Sequence, residues 1–371
     1  MIYLDWNATT PPLAEVRAAM LEAMDSAWGN PASTHGHGAR ARRWVEAARQ
    51  AVAELGGVEA RDVVLVSGGT EANNLALRSH VRAHPGCTIV TSRLEHPSVA
   101  NTAAALAREN ACTVHWIAAH ASGVIDLEEV RRAAHAAGAN ALLAVQAINH
   151  ETGVLQPVGE ALAIAREVGA RVHVDAVQAF GRSEQRWIEA DTRALAGHKL
   201  RGPKGIGALL LRPGYEVTPL LHGGAQERGL RAGTVDPVAC AGLAVAARHA
   251  RTAPARYRAL APLRDRLERG LLALREGSSI AGSAPRAPHV CNWLVPGVIG
   301  AELVAALSLE GLDVSAGSAC SAGTVEPSPV LQAMFGEALA RSGVRFSLGE
   351  TSTEAEIDAA LAVVTRVMRA F

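Results

Sequence analysis

Between residues 63 and 211 short apolar runs alternate with longer amphipathic segments, and this alternation constrains the fold more than any other feature of the chain. Val63-Val64-Leu65-Val66, Thr88-Ile89-Val90-Thr91, Thr113-Val114-His115-Trp116-Ile117, Leu142-Leu143-Ala144-Val145, Val172-His173-Val174 and Gly207-Ala208-Leu209-Leu210-Leu211 read as strands. Residues 71–83, 98–109, 127–138 and 158–168 read as the helices between them, with 13–27 and 39–56 as two helices before them. Parallel strands need crossover connections, so the pattern predicts an α/β fold with an open, largely parallel sheet covered on both faces. In such sheets ligands bind beyond the carboxyl ends of the strands.

The remainder of the chain has a different rhythm. Residues 2–12 read as an extended arm, and the arginine-rich segment 236–276 as a helical connection. A strand at 290–295, a helix at 300–310, a strand at 312–315, a glycine- and serine-rich turn, a helix at 329–340, a strand at 344–347 and a last helix at 353–370 predict a smaller α+β domain. The expected division is a large domain, 13–250, and a small one made of 1–12 and 251–371. The 371 residues carry no net charge, so nothing suggests a nucleic-acid or anionic-membrane face, and no apolar run is long enough to span a bilayer. Five widely spaced cysteines without a C-x-x-C pair fit a reducing cytoplasm and argue against a cysteine metal site. The His35/His37 pair lacks a third ligand, so no metal is expected.

Only two of the 36 basic residues are lysine, Lys199 and Lys204, both in Gly197-His198-Lys199-Leu200-Arg201-Gly202-Pro203-Lys204-Gly205. Arginine replaces lysine as a solvated charge but not as an amine that forms a Schiff base, so the pair points either to amine chemistry or to an exposed loop. Ser67-Gly68-Gly69-Thr70-Glu71 opens a predicted helix after a strand, where free N–H groups favour an anion such as phosphate. Asp175 ends an apolar strand and needs a partner, which a protonated ring nitrogen, a helix N-terminus or an arginine could each supply. A phosphate cradle, an acid at a strand end and a lysine after a later strand together meet the requirements of pyridoxal 5'-phosphate. His96, after another strand, is placed to stack on the ring and carry protons. Cys320, within Gly317-Ser318-Ala319-Cys320-Ser321-Ala322-Gly323, is the one cysteine among small residues and the candidate nucleophile. Arg345 is a candidate carboxylate ligand.

These segments resemble the cysteine desulfurases of the NifS/IscS type, within the class V aminotransferases of PLP fold type I. The resemblance runs through LDWNATTPP, NPASTHGHG, SGGTEANNLAL, EHPSV, HVDAVQ, GHKLRGPKGIGAL, GGAQERGLRAGT, GSACSAG and RFSLG, essentially the whole chain. It implies a large domain with a mostly parallel seven-stranded sheet. It further implies that Lys199 carries the cofactor as a Schiff base, Asp175 pairs the pyridine nitrogen, Gln178 contacts the ring hydroxyl and His96 stacks on the ring. Gly69, Thr70 and His198 would belong to the phosphate site, and Thr234 would reach the phosphate of the other subunit of a homodimer. Arg345 would hold the carboxylate of L-cysteine. Cys320 would take its sulfur as a persulfide, leaving alanine, on a loop able to carry sulfur to an acceptor such as an iron–sulfur scaffold or sulfur carrier. Two positions depart from the family pattern: His150 stands where a second asparagine usually contacts the ring hydroxyl, and Ala196 where a hydroxyl residue usually touches the phosphate. The alternatives are another PLP enzyme of this fold (a selenocysteine lyase, β-lyase or aminotransferase) or a catalytically weakened adaptor.

Overall fold

The computed structural model describes residues 1–184, 189–317 and 327–371. Its main sheet has seven strands in the order Val63–Val66, Gly207–Leu211, Thr192–Ala196, Arg171–Asp175, Ala141–Gln146, Thr88–Ser92, Thr113–Ile117. Gly207–Leu211 runs antiparallel to both of its neighbours, and the other pairings are parallel. Successive side chains point to opposite faces, so each strand divides between two cores. Leu65, Leu143 and Val145 join helices Gly36–Gly56, Leu127–Ala137, Val158–Val168 and Pro237–Ala250 on one face. Val64, Val66, Leu142 and Ala144 join helices Gly69–Ala83 and Pro97–Arg108 on the other. Two covered faces explain why these strands are apolar at nearly every position.

A third core gathers Leu4, Tyr257, Trp293, Leu303, Phe346 and Ile357 around an antiparallel sheet ordered Ser315–Ala316, Gly343–Ser347, Val290–Leu294, Ser279–Ile280. The N-terminal arm is strand only at Ile2–Tyr3, parallel to Leu312–Asp313. It then crosses towards the main sheet, with Asp5 bridging Ser347.

Three expectations need correction. Thr192–Ala196 is a central strand that the apolar pattern missed, because Arg193 interrupts it. Arg193 is fully buried and donates from Nη1 to the Gly56 carbonyl at 2.7 Å. The single helix expected at 329–340 is two, Pro329–Phe335 and Glu337–Ala340, broken at Gly336, whose φ of 80° suits glycine. The helix expected at 39–56 starts at Gly36, because the His35 ring accepts a hydrogen bond from Gly38 N at 3.3 Å and caps it.

Candidate active site

The carboxyl ends of the parallel strands open on a cavity of about 260 Å³. Gly69, Thr70, His96, His150, Asp175, Gln178, His198 and Lys199 all line it, although the sequence spreads them over 131 positions. Lys199 closes a 3-10 turn, Gly197–Lys199, directly after Thr192–Ala196. The turn folds on Gly197: its N–H donates to Ile206, and its carbonyl accepts from Leu200 and Gly202 at 2.9 and 3.1 Å. A Cβ on Gly202 would lie 2.8 Å from that carbonyl oxygen, so the turn needs glycine there. Lys204 is exposed and does not line the cavity. Of the two lysines, only Lys199 is placed for amine chemistry.

Lys199 Nζ donates to the carbonyls of Asn7 and Ala8, the latter at 2.8 Å. Asn7 is the residue that sequence reasoning passed over. Its carbonyl also accepts from Gln178 Nε2 at 3.0 Å, and its side chain donates to the His150 carbonyl at 3.1 Å. Its Oδ1 accepts from Arg182 Nη1 at 2.9 Å and contacts His289 Nε2 at 3.2 Å. Arg182 also donates to the Gln178 side chain, so the glutamine amide is held from both ends. The signal for Asn7 was its place in LDWNATTPP, but an arm of eleven residues gives no pattern that says which side chain faces inward.

Asp175 is oriented by a buried polar chain. Asn73 Nδ2 donates to Asp175 Oδ2 and to Ser98 Oγ, each at 2.8 Å, and Asn73 Oδ1 accepts from His173 Nε2 at 2.9 Å. His173 Nδ1 meets Thr192 Oγ1 at 2.9 Å, and Val177 N donates to Asp175 Oδ1 at 3.0 Å. Burial pushes His173 down to about 4, so it is neutral at pH 7. Burial also raises the Glu95 carboxyl well above the usual range.

Two of the cavity histidines, His96 and His198, are also kept neutral. Burial pushes His96 down to about 4, reinforced by His150, whose ring stands edge-on at 5.2 Å between centroids. Burial and then the charge of Lys199 push His198 down to about 3. His96 has a defined tautomer. Its Nδ1 accepts from Ser98 N at 3.1 Å, and Ser98 Oγ lies 2.7 Å from the same nitrogen. A backbone N–H can only donate, so the ring proton sits on Nε2.

The site fits pyridoxal 5'-phosphate by its chemistry. Gly69 and Thr70 open the helix Gly69–Ala83, whose first N–H groups have no intrahelical acceptor and suit a phosphate. A Cβ on Gly69 would lie 2.7 Å from Val177 Cγ2 and 3.6 Å from Ala196 Cβ, so the glycine leaves the cradle open. Asp175 is a buried carboxylate facing the cavity, and Lys199 brings an amine. Ala196 is buried in the cavity wall and offers a methyl group instead of a hydroxyl.

Two expected residues lie outside the cavity lining. Arg345 is buried beside the cavity, donating to Asp5 Oδ1 at 2.6 Å and to the His150 carbonyl at 3.0 Å. Thr234 is exposed and outside the cavity, on a segment tethered by two ion pairs: Arg231–Glu71 at 2.9 Å and the buried Arg49–Glu227 at 2.7 Å. Cys320 lies outside the described residues. Cys87, Cys112, Cys240 and Cys291 are buried, and burial raises each thiol.

Sheet order and cavity together define a transferase of PLP fold type I. The chain belongs to the class-V aminotransferase family, which matches residues 2–360. It is 40% identical over 373 residues to a cysteine desulfurase of Cereibacter sphaeroides, covering 99% of this chain and 95% of the relative. A solved structure described as a NifS-like protein superposes with a TM-score of 0.91 at 30% identity, covering 100% of both chains. A second, described as SspA in complex with cysteine, has a TM-score of 0.82 at 29% identity, covering 95% of this chain and 100% of the other.

Proposed function

We propose that this protein is a cysteine desulfurase that converts L-cysteine to L-alanine and takes the sulfur onto Cys320. The observation that carries the reading is the meeting of Lys199, Asp175, His96 and the Gly69-Thr70 helix start in one cavity. The names of its relatives support the choice of reaction within the fold. Bound pyridoxal 5'-phosphate supplies an electron sink for the carbanion formed at the substrate Cα.

The chain's own residues do the rest. Gly69 and Thr70 hold the phosphate, with His198 beside it as a neutral ring. Asp175, fixed by Asn73, offers a carboxylate to a ring nitrogen. Lys199 Nζ supplies the amine and, when free, carries a proton while docked on the Asn7 and Ala8 carbonyls. His96 holds an Nε2–H towards the cavity. Arg345 exchanges Asp5 for the substrate carboxylate, a bidentate geometry that suits guanidinium. Cys320 attacks the substrate sulfur as the thiolate; the S–S bond forms as the Cβ–S bond breaks, and sulfur leaves as a persulfide for an acceptor protein.

Thr234, being exposed, is assigned to the phosphate site of the partner subunit in a homodimer. No helix among the described residues is long and apolar enough to cross a membrane, and a cytoplasmic role in sulfur supply, iron–sulfur assembly among the candidates, is in keeping with this. Mass spectrometry after incubation with L-cysteine tests the reading: the protein gains about 32 Da on the peptide containing Cys320, and one alanine appears per sulfur. Unchanged alanine release from a Cys320→Ser variant would refute it.

A further inference from the structure

Arg182 is buried and does not line the cavity, but it holds two residues that do, Gln178 and Lys199. Its Nη1 donates to Asn7 Oδ1 at 2.9 Å and to Gln178 Oε1. Its Nη2 donates to the Trp6 carbonyl at 3.0 Å and to the Lys199 carbonyl at 3.3 Å. Gln178 precedes it by 4 positions, and Gly181 turns the chain between them. That glycine has a φ of 70°, and a Cβ on it would lie 2.9 Å from Ala250 Cβ. The guanidinium carbon stands 5.5 Å from the centroid of the Tyr257 ring. All four hydrogen-bond acceptors are neutral, so these contacts orient groups and do not neutralise a charge.

Hydrogen-bond direction fixes the Gln178 amide. A guanidinium only donates, so the Gln178 atom opposite it is the oxygen. A backbone carbonyl only accepts, so the Gln178 atom 3.0 Å from the Asn7 carbonyl is the nitrogen. Turning the amide over would set nitrogen against guanidinium and oxygen against carbonyl. The Asn7 carbonyl also accepts from Lys199 Nζ, so the amide nitrogen and the lysine amine share one acceptor and lie side by side. In pyridoxal 5'-phosphate the ring hydroxyl is on the carbon next to the one bearing the aldehyde that an amine takes. The hydroxyl therefore belongs beside the Lys199 amine, within the reach of the second hydrogen on Gln178 Nε2. We propose that Arg182 is a positioning residue that locks the Gln178 amide with its nitrogen towards this hydroxyl. The proposal rests on the pyridoxal phosphate reading of the cavity. A donor at the hydroxyl oxygen favours the form in which that oxygen has lost the proton it shares with the Lys199 nitrogen, and so lowers the pH at which the proton leaves.

The visible absorbance of the bound cofactor, titrated with pH in the absence of substrate, reads that proton. Arg182→Met should raise the midpoint by about one pH unit. Arg182→Lys keeps a donor for Gln178 Oε1 and should raise it by less than half as much. Gln178→Leu should match Arg182→Met, and combining the two should move the midpoint no further, because the effect runs through the amide. An unmoved midpoint in Arg182→Met overturns the proposal. So does an undiminished further shift when Arg182→Met is added to Gln178→Leu, since the guanidinium charge would then act on the Lys199 nitrogen directly. Should Arg182→Met fail to fold, Gln178→Glu decides: a carboxylate there pairs with Arg182 but cannot donate, so the midpoint should rise, and an unmoved one overturns the proposal. Wild-type protein that stays colourless after addition of pyridoxal 5'-phosphate would refute the cofactor reading instead, which keeps the two failures apart.

Discussion

Asn73 is the side chain on which the orientation of Asp175 depends, and replacing it by leucine removes that support without opening space for water. The substitution deletes hydrogen bonds to Asp175 Oδ2, Ser98 Oγ and His173 Nε2, all buried. A hydrogen bond to a charged group contributes about 1.5–3 kcal/mol and a neutral one about 0.5–1.5, so the three together amount to about 2.5–6 kcal/mol. Unfolding entropy scales with length at about 2 cal/mol/K per residue, so a loss of about 4 kcal/mol lowers Tm by about 5 °C in this chain. The assay is thermal unfolding of the cofactor-free protein followed by circular dichroism. The His96 tautomer survives, because Ser98 N still donates to its Nδ1, but Asp175 loses its orienting partner, so cofactor binding weakens in the same variant. A Tm within about 1 °C of wild type would refute the reasoning, because it would mean that these buried groups find other partners at no cost.

Other outcomes follow from single contacts. Gly69→Ala places a methyl group 2.7 Å from Val177 Cγ2 and should weaken pyridoxal phosphate binding about tenfold in a fluorescence titration, with Val177→Ala restoring most of the loss. Ala196→Ser adds a hydroxyl to the cradle wall and should tighten binding about tenfold in the same titration. Glu227→Ala leaves the Arg49 guanidinium buried without its carboxylate and takes the acceptor from Leu65 N, at a cost of about 3–5 kcal/mol in urea unfolding, whereas Arg49→Met with Glu227→Leu should cost much less. Because burial lowers His173 from 6.5 to about 4, the unfolded chain binds that proton first as pH falls. The contribution of His173, about 3 kcal/mol, is intact above pH 6.5 and is lost as pH falls to about 4; a His173→Gln variant should show a flatter curve of urea midpoint against pH over that window.

The apolar alternation determined the layered α/β sheet, because a strand buried on both faces must be apolar at most positions and a parallel neighbour must be reached through a helix. Lysine scarcity pointed to the turn after Thr192–Ala196, and glycines next to Thr70 pointed to a helix start open to an anion. Local pattern failed where tertiary contacts override it. Arg193 sits in the middle of a central strand because the carbonyl at the end of a distant helix accepts its proton, and no window around residue 193 contains Gly56. The long-range pairings alone decided which residues share the cavity. Asn7 meets Lys199 across 192 positions and Asn73 meets Asp175 across 102, so their roles exist only once the arm is laid over the strand ends. The same holds for the protonation pattern. Sequence places His96, His173 and His198 in the site motifs, but burial makes them neutral, and the atom opposite each ring nitrogen decides which nitrogen keeps its proton. Residue types are a property of the chain; desolvation and hydrogen-bond direction are properties of the packed molecule.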